Sequence, residues 1–210
     1  MQNAKILATF MFLALSCPFI LRAEGRHESA PATEAVPTAS TSVSPDESSD
    51  SALASVVDGL HVTGAPIPVD IRSYRLSVTG TVARPLMLQF GELKSMDMVK
   101  ETAAVDCPGF FIDTGTWTGV RLRDLLSMAQ PSAGSTTVTF VSIDGGYSQQ
   151  LSFDRAMRDD TLIAYEFNGK QFDSRNGFPL RLVAPGETGA IWVKWLGKIE
   201  VSSTEKAPPP

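Results

Sequence analysis

The chain has 210 residues, of which 43% are hydrophobic, and its formal net charge is -5. The negative charge lies in segment 24–70, which has eight acidic residues and one basic residue, whereas 71–203 has fourteen of each. Segment 71–203 therefore has no net charge and no excess of basic residues from which to build the broad basic surface that binds nucleic acids. We expect no nucleic-acid partner.

The first 23 residues predict a secretory signal peptide. Lys5 precedes an apolar stretch from Ile6 to Leu15, which is shorter than the ~20 residues that span a membrane. The sequence allows two alternative cleavage sites. An imperfect lipobox ends at Cys17 and would leave a lipidated N-terminus, whereas an ordinary signal-peptidase site ends at Ala23. We therefore expect an exported protein, periplasmic or at the cell surface, with a lipid anchor at Cys17 in the first case.

Segment 24–70 is rich in Ser, Thr, Pro, Ala and Glu and shows no hydrophobic period. Such a composition buries too little apolar surface to offset the entropy of ordering, and it predicts a disordered linker. Residues 204–210 predict a flexible tail. The remaining residues, 71–203, have the usual length of one domain.

Within this domain the patterns predict many short strands and few short helices. Strands are predicted at 72–79, 99–105, 136–142, 147–151, 162–167, 180–184 and 192–201. Helical turns are predicted near 90–96, over 120–129 before Pro131, and over 153–157 with Asp154 as the cap. Asp144–Gly146 and Asn168–Gly169 predict hairpin turns. The fold class is therefore α+β, a sheet-dominated mixed β structure with short helices.

Several chemistries are excluded by missing residues. His27 and His61 both precede the predicted domain, so we expect no histidine base, catalytic triad or histidine metal cluster in it. Neither a phosphate-binding loop G-x-x-x-x-G-K-[ST] nor a dinucleotide fingerprint G-x-G-x-x-G occurs. A single thiol in the domain also excludes a C-x-x-C redox pair.

Cys107 is the one cysteine of the predicted domain, and two interpretations of it are open. Exported proteins usually pair their cysteines or lack them, so an unpaired thiol at a strand end before Pro108-Gly109 is a candidate ligand for a soft metal. A free cysteine is also a common small hydrophobic core residue.

A second candidate is the loop from Pro185 to Gly189, which Lys194 follows. Glycines allow backbone N–H groups to converge on an anion, and a lysine adds a positive charge for phosphate. The same pattern is also typical of an ordinary turn before a strand with one solvated lysine.

Seven motifs follow one another along 71–202. They are Tyr74–Gly80 with Pro85-Leu86, Val105-Asp106-Cys107, Trp117–Leu126, Asp144–Tyr147, Leu162–Gly169, Gly177–Gly186 and Val193–Val201. In this order and spacing they resemble the molybdopterin-binding domain of the sulfite oxidase family. The resemblance implies a molybdenum-molybdopterin cofactor whose metal is bound by the thiolate of Cys107. It implies further contacts to the pterin and its phosphate, or places in the same pocket, for Lys194, Gly186, Gly189, Asn168, Gly177 and Arg181. Without the resemblance, Asn168 is a hairpin residue and Arg181 forms a surface ion pair.

The chain departs from the family pattern around the expected substrate pocket. An Asn-Arg-Arg stretch after the cysteine is replaced by Phe110-Phe111-Ile112, a histidine by Asn176, and an arginine by Ile191 or Trp192. Because a dianion is costly to bury without cations, we expect a substrate other than sulfite. Phe110, Phe111 and Trp117 predict an apolar mouth suited to a neutral sulfoxide or N-oxide.

The resemblance thus implies an extracytoplasmic molybdopterin-dependent oxidoreductase with oxygen-atom-transfer chemistry on a small molecule. No haem-binding segment follows the core, so we expect electrons from a separate electron-transfer partner. The N-terminus lacks the twin-arginine signal of exported proteins that carry this cofactor. The alternative is therefore a non-catalytic ligand-binding or assembly module on the same fold that has lost the cofactor.

Overall fold

The structure, a computed structural model, describes residues 55–203. The strands are β1 Val56–Val57, β2 Leu60–His61, β3 Arg75–Gly80, β4 Leu86–Gln89, β5 Met98–Cys107, β6 Phe111–Arg121, β7 Ser135–Ser142, β8 Ser148–Ser152, β9 Leu162–Phe167, β10 Lys170–Gln171, β11 Arg181–Val183 and β12 Leu196–Ser203. The helices are α1 Phe90–Lys94, α2 Leu122–Ala129 and α3 Phe153–Ala156, with 3-10 turns at Ser174–Asn176 and Gly189–Ile191.

Two five-stranded sheets make up most of the described fold, which confirms the predicted sheet-dominated α+β class. One sheet has the order β10-β9-β6-β5, with β11 also paired to β9, and the other has the order β4-β3-β12-β7-β8. The pairing of β12 with β3 is parallel, and the other pairings in these two sheets are antiparallel. One cluster of buried apolar side chains includes residues of both sheets and of α2.

The helix α2 forms where the apolar period predicts it. Leu122, Leu125, Leu126 and Ala129 lie on one face and are fully buried. Burying one such leucine contributes about 1.5–3 kcal/mol, so the apolar face holds this short helix against the sheets. The helix ends where Gln130 adopts a left-handed conformation with φ 56°.

Two local predictions need correction. Residues 111–121 form the long strand β6, and Val120 belongs to it rather than to the following helix. This strand is stabilised by pairing with β5 on one side and β9 on the other, which its own sequence does not reveal. The cap of α3 is Ser152, whose hydroxyl accepts a hydrogen bond from the Arg155 N–H at 3.2 Å, and not Asp154.

The predicted linker 24–70 overlaps the folded structure at its C-terminal end. Residues 55–70 contain the hairpin of β1 and β2, and Leu60 is only 2% exposed. The described domain therefore includes this segment as well as 71–203. The predicted signal peptide, the lipobox at Cys17, the rest of the linker and the tail 204–210 lie outside the described residues. No helix within 55–203 combines the length and the apolar character that crossing a membrane requires.

Candidate functional site

Cys107 is the last residue of β5, at the turn of the hairpin that β5 forms with β6. It pairs with Phe111, and the N–H of Phe110 donates a hydrogen bond to the carbonyl oxygen of Cys107 at 2.9 Å. Gly109 has φ 83°, a left-handed conformation that favours glycine in this tight turn. On the other side, Asp106 forms a parallel bridge with Thr188. The hairpin therefore fixes the thiol between two chain segments.

Cys107 opens into a cavity of about 620 Å³. Among the site residues predicted from the sequence, the cavity wall includes Cys107, Gly189, Arg181 and Lys194. Further residues of the wall were not predicted, and they include His61, Asp113 and Tyr147. Residues of the β1–β2 hairpin, the β5–β6 hairpin and segment 185–195 therefore line the same cavity.

Gly189 lies directly against Cys107. A Cβ atom at this position would overlap the Sγ atom of Cys107 and approach the carbonyl oxygen of Asp106 to 3.1 Å. Only a glycine leaves the space that the thiol occupies. This requirement explains the glycine at the end of the predicted loop by steric contact, without any bound anion.

Arg181 is a buried cation in the wall of the cavity, with an exposed fraction of 5%. Its guanidinium lies 5.2 Å from the centre of the Trp117 ring, and Nη1 donates a hydrogen bond to the carbonyl oxygen of Asn176 at 3.2 Å. Burial lowers the pKa of Arg181 to about 10, against the opposing effect of Asp113. The expected surface ion pair is therefore absent among the described residues, and Nε is buried without a hydrogen-bond partner.

Lys194 is the second cation of the wall. Its Nζ donates hydrogen bonds to the carbonyl oxygens of Thr63 and Arg175, and it lies 4.3 Å from the centre of the Trp195 ring. Burial, and then the charge of Arg181, lower the pKa of Lys194 to about 7. Within residues 55–203 neither cation has a carboxylate partner at ion-pair distance. Two uncompensated cations favour an anionic ligand in this cavity.

The environment of Cys107 is mixed. Burial raises the pKa of its thiol, and the charges of Asp113 and Asp106 act in the same direction, whereas Arg181 and Lys194 oppose them. A thiol of raised pKa carries its proton at neutral pH, so a metal that binds it must displace that proton.

The other predicted residues are not part of the cavity wall. Gly177, with φ 99°, leaves room for the stems of Lys194 and Arg181, because a Cβ there would lie 2.8 Å from the Cβ of Lys194. Gly186 is exposed in the loop. Asn168 is an exposed residue of the β9–β10 turn, and its Oδ1 accepts a hydrogen bond from the N–H of Thr116 at 2.9 Å. The structure therefore supports the hairpin interpretation of Asn168.

His61 corrects the expectation that no histidine reaches the site. It belongs to β2, where buried Leu60 anchors the hairpin, and its Nδ1 lies 2.6 Å from Oδ1 of Asp113. The sequence signal for this strand is only the alternation of Leu60, His61 and Val62 in an otherwise polar segment. Two residues of alternation are too few to predict a strand, so the histidine is placed by tertiary packing.

The mouth of the cavity is partly apolar, as predicted. Phe110 is 71% exposed and lines the cavity together with Phe111, whose ring stacks on the imidazole of His61. Ile112 is exposed outside the cavity wall. Trp117 is fully buried below the site and is not part of the mouth, which corrects that part of the expectation.

The donor set limits how a metal is held. Within residues 55–203 no cluster of three or more His, Cys, Asp or Glu side chains is placed to bind a metal ion. A bare ion therefore has too few ligands here. A metal that brings its own sulfur ligands on an anionic organic group fits the arrangement, since Cys107 adds a soft ligand, and Arg181 and Lys194 offset the negative charge.

Comparisons with known proteins agree with this fit. A family model described as an oxidoreductase molybdopterin-binding domain matches residues 63–209. Sulfite oxidase of Arabidopsis thaliana is 30% identical, with 67% of this chain and 45% of that protein covered. Sulfite oxidase of Gallus gallus is 35% identical (67% and 37% covered), and nitrate reductase [NADH] of Volvox carteri is 31% identical (68% and 20% covered).

A solved structure shows the same architecture. The sulfane dehydrogenase SoxCD from Paracoccus pantotrophus superposes with a TM-score of 0.62 at 25% identity, covering 67% of this chain and 41% of that one. The chain spans less than half the length of each of these relatives. Their shared part is therefore the domain that contains the cavity.

Proposed function

Since the chain belongs to the oxidoreductase molybdopterin-binding domain family, we propose that it is an exported molybdenum-dependent oxidoreductase with Cys107 as the protein ligand of the metal. The family and its sulfite oxidase relatives support a molybdenum-molybdopterin cofactor. The observation that carries the proposal is the meeting of one thiol, buried Arg181 and half-buried Lys194 in a single cavity, with neither cation paired to a carboxylate.

The residues of the cavity divide into ligands and supports. Cys107 would bind the metal, and Arg181 and Lys194 would offset the charge of the pterin phosphate. Gly189 keeps the space beside the thiol open, and the β5–β6 hairpin holds the thiol in place. When bound, the cofactor supplies two-electron oxidation and reduction with transfer of an oxygen atom. The protein contributes binding, orientation and a partly dry environment.

We propose a small, neutral substrate such as a sulfoxide or an N-oxide. Exposed Phe110 and stacked Phe111 make one side of the mouth apolar, which favours an uncharged organic molecule. The two cations are committed to the cofactor in this proposal, so none of the described cavity residues is left to neutralise sulfite. Electrons would come from a separate electron-transfer partner in the extracytoplasmic space.

Metal analysis tests the proposal most directly. The full-length chain is produced in a host that makes the cofactor, purified and measured for molybdenum, together with Cys107→Ala and the matched control Ser127→Ala. We expect about one molybdenum per chain in the wild type and the control, and loss of it in Cys107→Ala. Absence of molybdenum from a folded wild-type protein would support the alternative, a cofactor-free binding module.

Activity assays test the substrate. The metal-loaded protein is supplied with a reduced viologen dye and dimethyl sulfoxide or trimethylamine N-oxide, and separately with sulfite and an electron acceptor. We expect turnover of at least one neutral acceptor and little oxidation of sulfite. Efficient sulfite oxidation without turnover of either neutral compound would refute this choice of substrate. Fractionation of cells that produce the wild type or Cys17→Ala tests export and the lipid anchor.

A further inference from the structure

His61 and Asp113 form a hydrogen-bonded pair in the wall of the cavity. The Nδ1 atom of His61 lies 2.6 Å from Oδ1 of Asp113, and the backbone N–H of His61 donates to Oδ2 of the same carboxylate at 2.7 Å. The imidazole also stacks on Phe111, with ring centres 4.3 Å apart and an interplanar angle of 11°. The position of the ring is therefore fixed by the hydrogen bond at its edge, by stacking on its face and by the hydrogen bond of the His61 main chain.

This arrangement decides which ring nitrogen is free. An ionised carboxylate only accepts hydrogen bonds, so Nδ1 of His61 carries the proton that lies between the two residues. Within residues 55–203, no hydrogen bond reaches Nε2. The side chain is 28% exposed and lines the cavity. Nε2 is thus the ring nitrogen of His61 that has no partner among the described residues.

We propose that His61 is a proton-transfer residue of this site, which in its imidazolium form donates a hydrogen bond from Nε2 to the oxygen atom of a neutral substrate, and that Asp113 is its positioning residue. The inference rests on the proposed function. It adds a specific residue to the chemistry, from a strand outside the segment that the family model matches, residues 63–209.

The reaction shows why such a residue is needed. Reduction of a sulfoxide breaks the sulfur–oxygen bond, consumes two electrons and two protons, and releases a sulfide and water. The electrons come from the external one-electron donor, in the assay a reduced viologen dye. His61 delivers one proton from Nε2 to the departing oxygen and recovers one from solvent through the cavity mouth, while solvent supplies the second. Asp113 holds Nδ1 protonated throughout, so Nε2 alternates between donor and acceptor.

The surroundings of His61 contain few other candidates for this role. Cys107, Arg181, Lys194 and Tyr147 are the remaining titratable groups in the wall. Cys107 is assigned to the metal, and the two cations are assigned to the phosphate. The hydroxyl of Tyr147 already donates a hydrogen bond to the carbonyl oxygen of Ala190 at 2.6 Å. In the β1–β2 hairpin, Asp58 is paired with Lys170 at 2.7 Å.

Nitrogen NMR of the histidine rings tests the geometry without any activity measurement. The full-length chain has two histidines, so the signals of His61 are assigned by their loss in His61→Gln. We expect the neutral ring to carry its proton on Nδ1, the less common form, and to change to the Nε2 form in Asp113→Asn, because an asparagine amide can donate to Nδ1. An Nε2-protonated neutral ring in the wild type would overturn the proposal.

Kinetics of the metal-loaded protein test the role. With reduced viologen and dimethyl sulfoxide, we expect His61→Gln and Asp113→Asn to lower kcat by about a hundredfold or more, with KM changed far less and with molybdenum content unchanged. His27→Gln is the matched control and should retain full activity. Unchanged kcat in His61→Gln, or loss of activity that follows loss of molybdenum, overturns the proton-transfer role.

The two measurements separate this inference from the proposed function. A wild-type protein without molybdenum would refute the proposed function and the catalytic role together, whereas the NMR result would still stand for the pair itself. A metal-loaded protein that turns over dimethyl sulfoxide but does not depend on His61 would leave the proposed function intact and refute only the inference.

Discussion

Lys194→Met should remove a pH dependence from the stability of the metal-free protein. Burial lowers the pKa of Lys194 from 10.5 to about 7, so the unfolded chain binds a proton that the folded chain has released between these values. Stability therefore rises with pH in that window, and the cost of the buried charge is fully present below pH 7. The difference in pKa corresponds to an upper limit of about 5 kcal/mol.

The expected effect is smaller than this limit. Lys194 is only half-buried, so solvent screening reduces its contribution, and from pH ~6 to ~8.5 we expect the wild type to gain about 1 kcal/mol relative to the variant. The change with pH, rather than the difference at one pH, is the quantity to compare. Methionine also leaves the carbonyl oxygens of Thr63 and Arg175 without their donor. This loss lowers the free energy of unfolding by the same amount at every pH, so it does not change the pH dependence.

Urea unfolding of both proteins at several pH values measures the effect. The raised pKa of Cys107 lowers stability at high pH and acts in both proteins, so measurements stay below the range where the thiol ionises. Lys198→Met is the control, because Lys198 forms an exposed pair with Glu200 at 2.7 Å. Equal pH dependence in the wild type and Lys194→Met would refute the claim that a half-buried ammonium without a carboxylate partner costs stability in this cavity.

Three further substitutions test contacts around the site. Gly189→Ala should displace the thiol of Cys107 and lower molybdenum content several-fold in metal analysis, whereas Gly91→Ala, where a Cβ meets nothing within 4 Å, should not. Arg155→Lys should loosen the loop before Gly189, because lysine cannot reproduce the fork of hydrogen bonds to Pro185 and Glu187 of the loop and to Asp160, and faster amide exchange in that loop is the measurement. Tyr74→Phe should lower the free energy of unfolding by about 1–2 kcal/mol in urea titrations, since it removes a buried hydrogen bond of 2.5 Å to a main-chain oxygen; an unchanged midpoint would contradict this assignment.

The fold could be predicted well where local pattern and packing agree. The helix α2 follows from apolar residues on one face, and β7 from a run rich in Thr, Val and Phe. The strand β6 could not be predicted in the same way. Gly119 packs against the main chain of Ile163, a contact that is possible only because glycine has no side chain. A glycine adds nothing to an apolar pattern, so the sequence gives no sign of this contact.

The candidate site could be predicted only in part. Cys107 and Lys194 were candidates from the residues themselves, as the lone thiol and the lysine after the glycine loop. Arg181 was named only through the order of the motifs, because no pattern in the residues themselves distinguishes it from a solvent-facing arginine in an apolar strand. His61 was missed because a hairpin of two-residue strands has no stability of its own and forms by docking Leu60 into the core. Residues that reach a site through long-range packing leave little trace in the local sequence.

The distribution of charge in the cavity connects these residues to substrate choice. The carboxylate of Asp113 accepts hydrogen bonds from the ring and the main-chain N–H of His61, so its oxygens are engaged on this side of the cavity. Arg181 and Lys194 are unpaired, and a cofactor phosphate that occupied them would leave the cavity near neutrality. A dianionic substrate would then enter beside Phe110 and Phe111 without a partner, at a high desolvation cost. A neutral oxygen acceptor avoids that cost and needs only one hydrogen-bond donor for its oxygen, which Nε2 of His61 provides when the ring is protonated on both nitrogens.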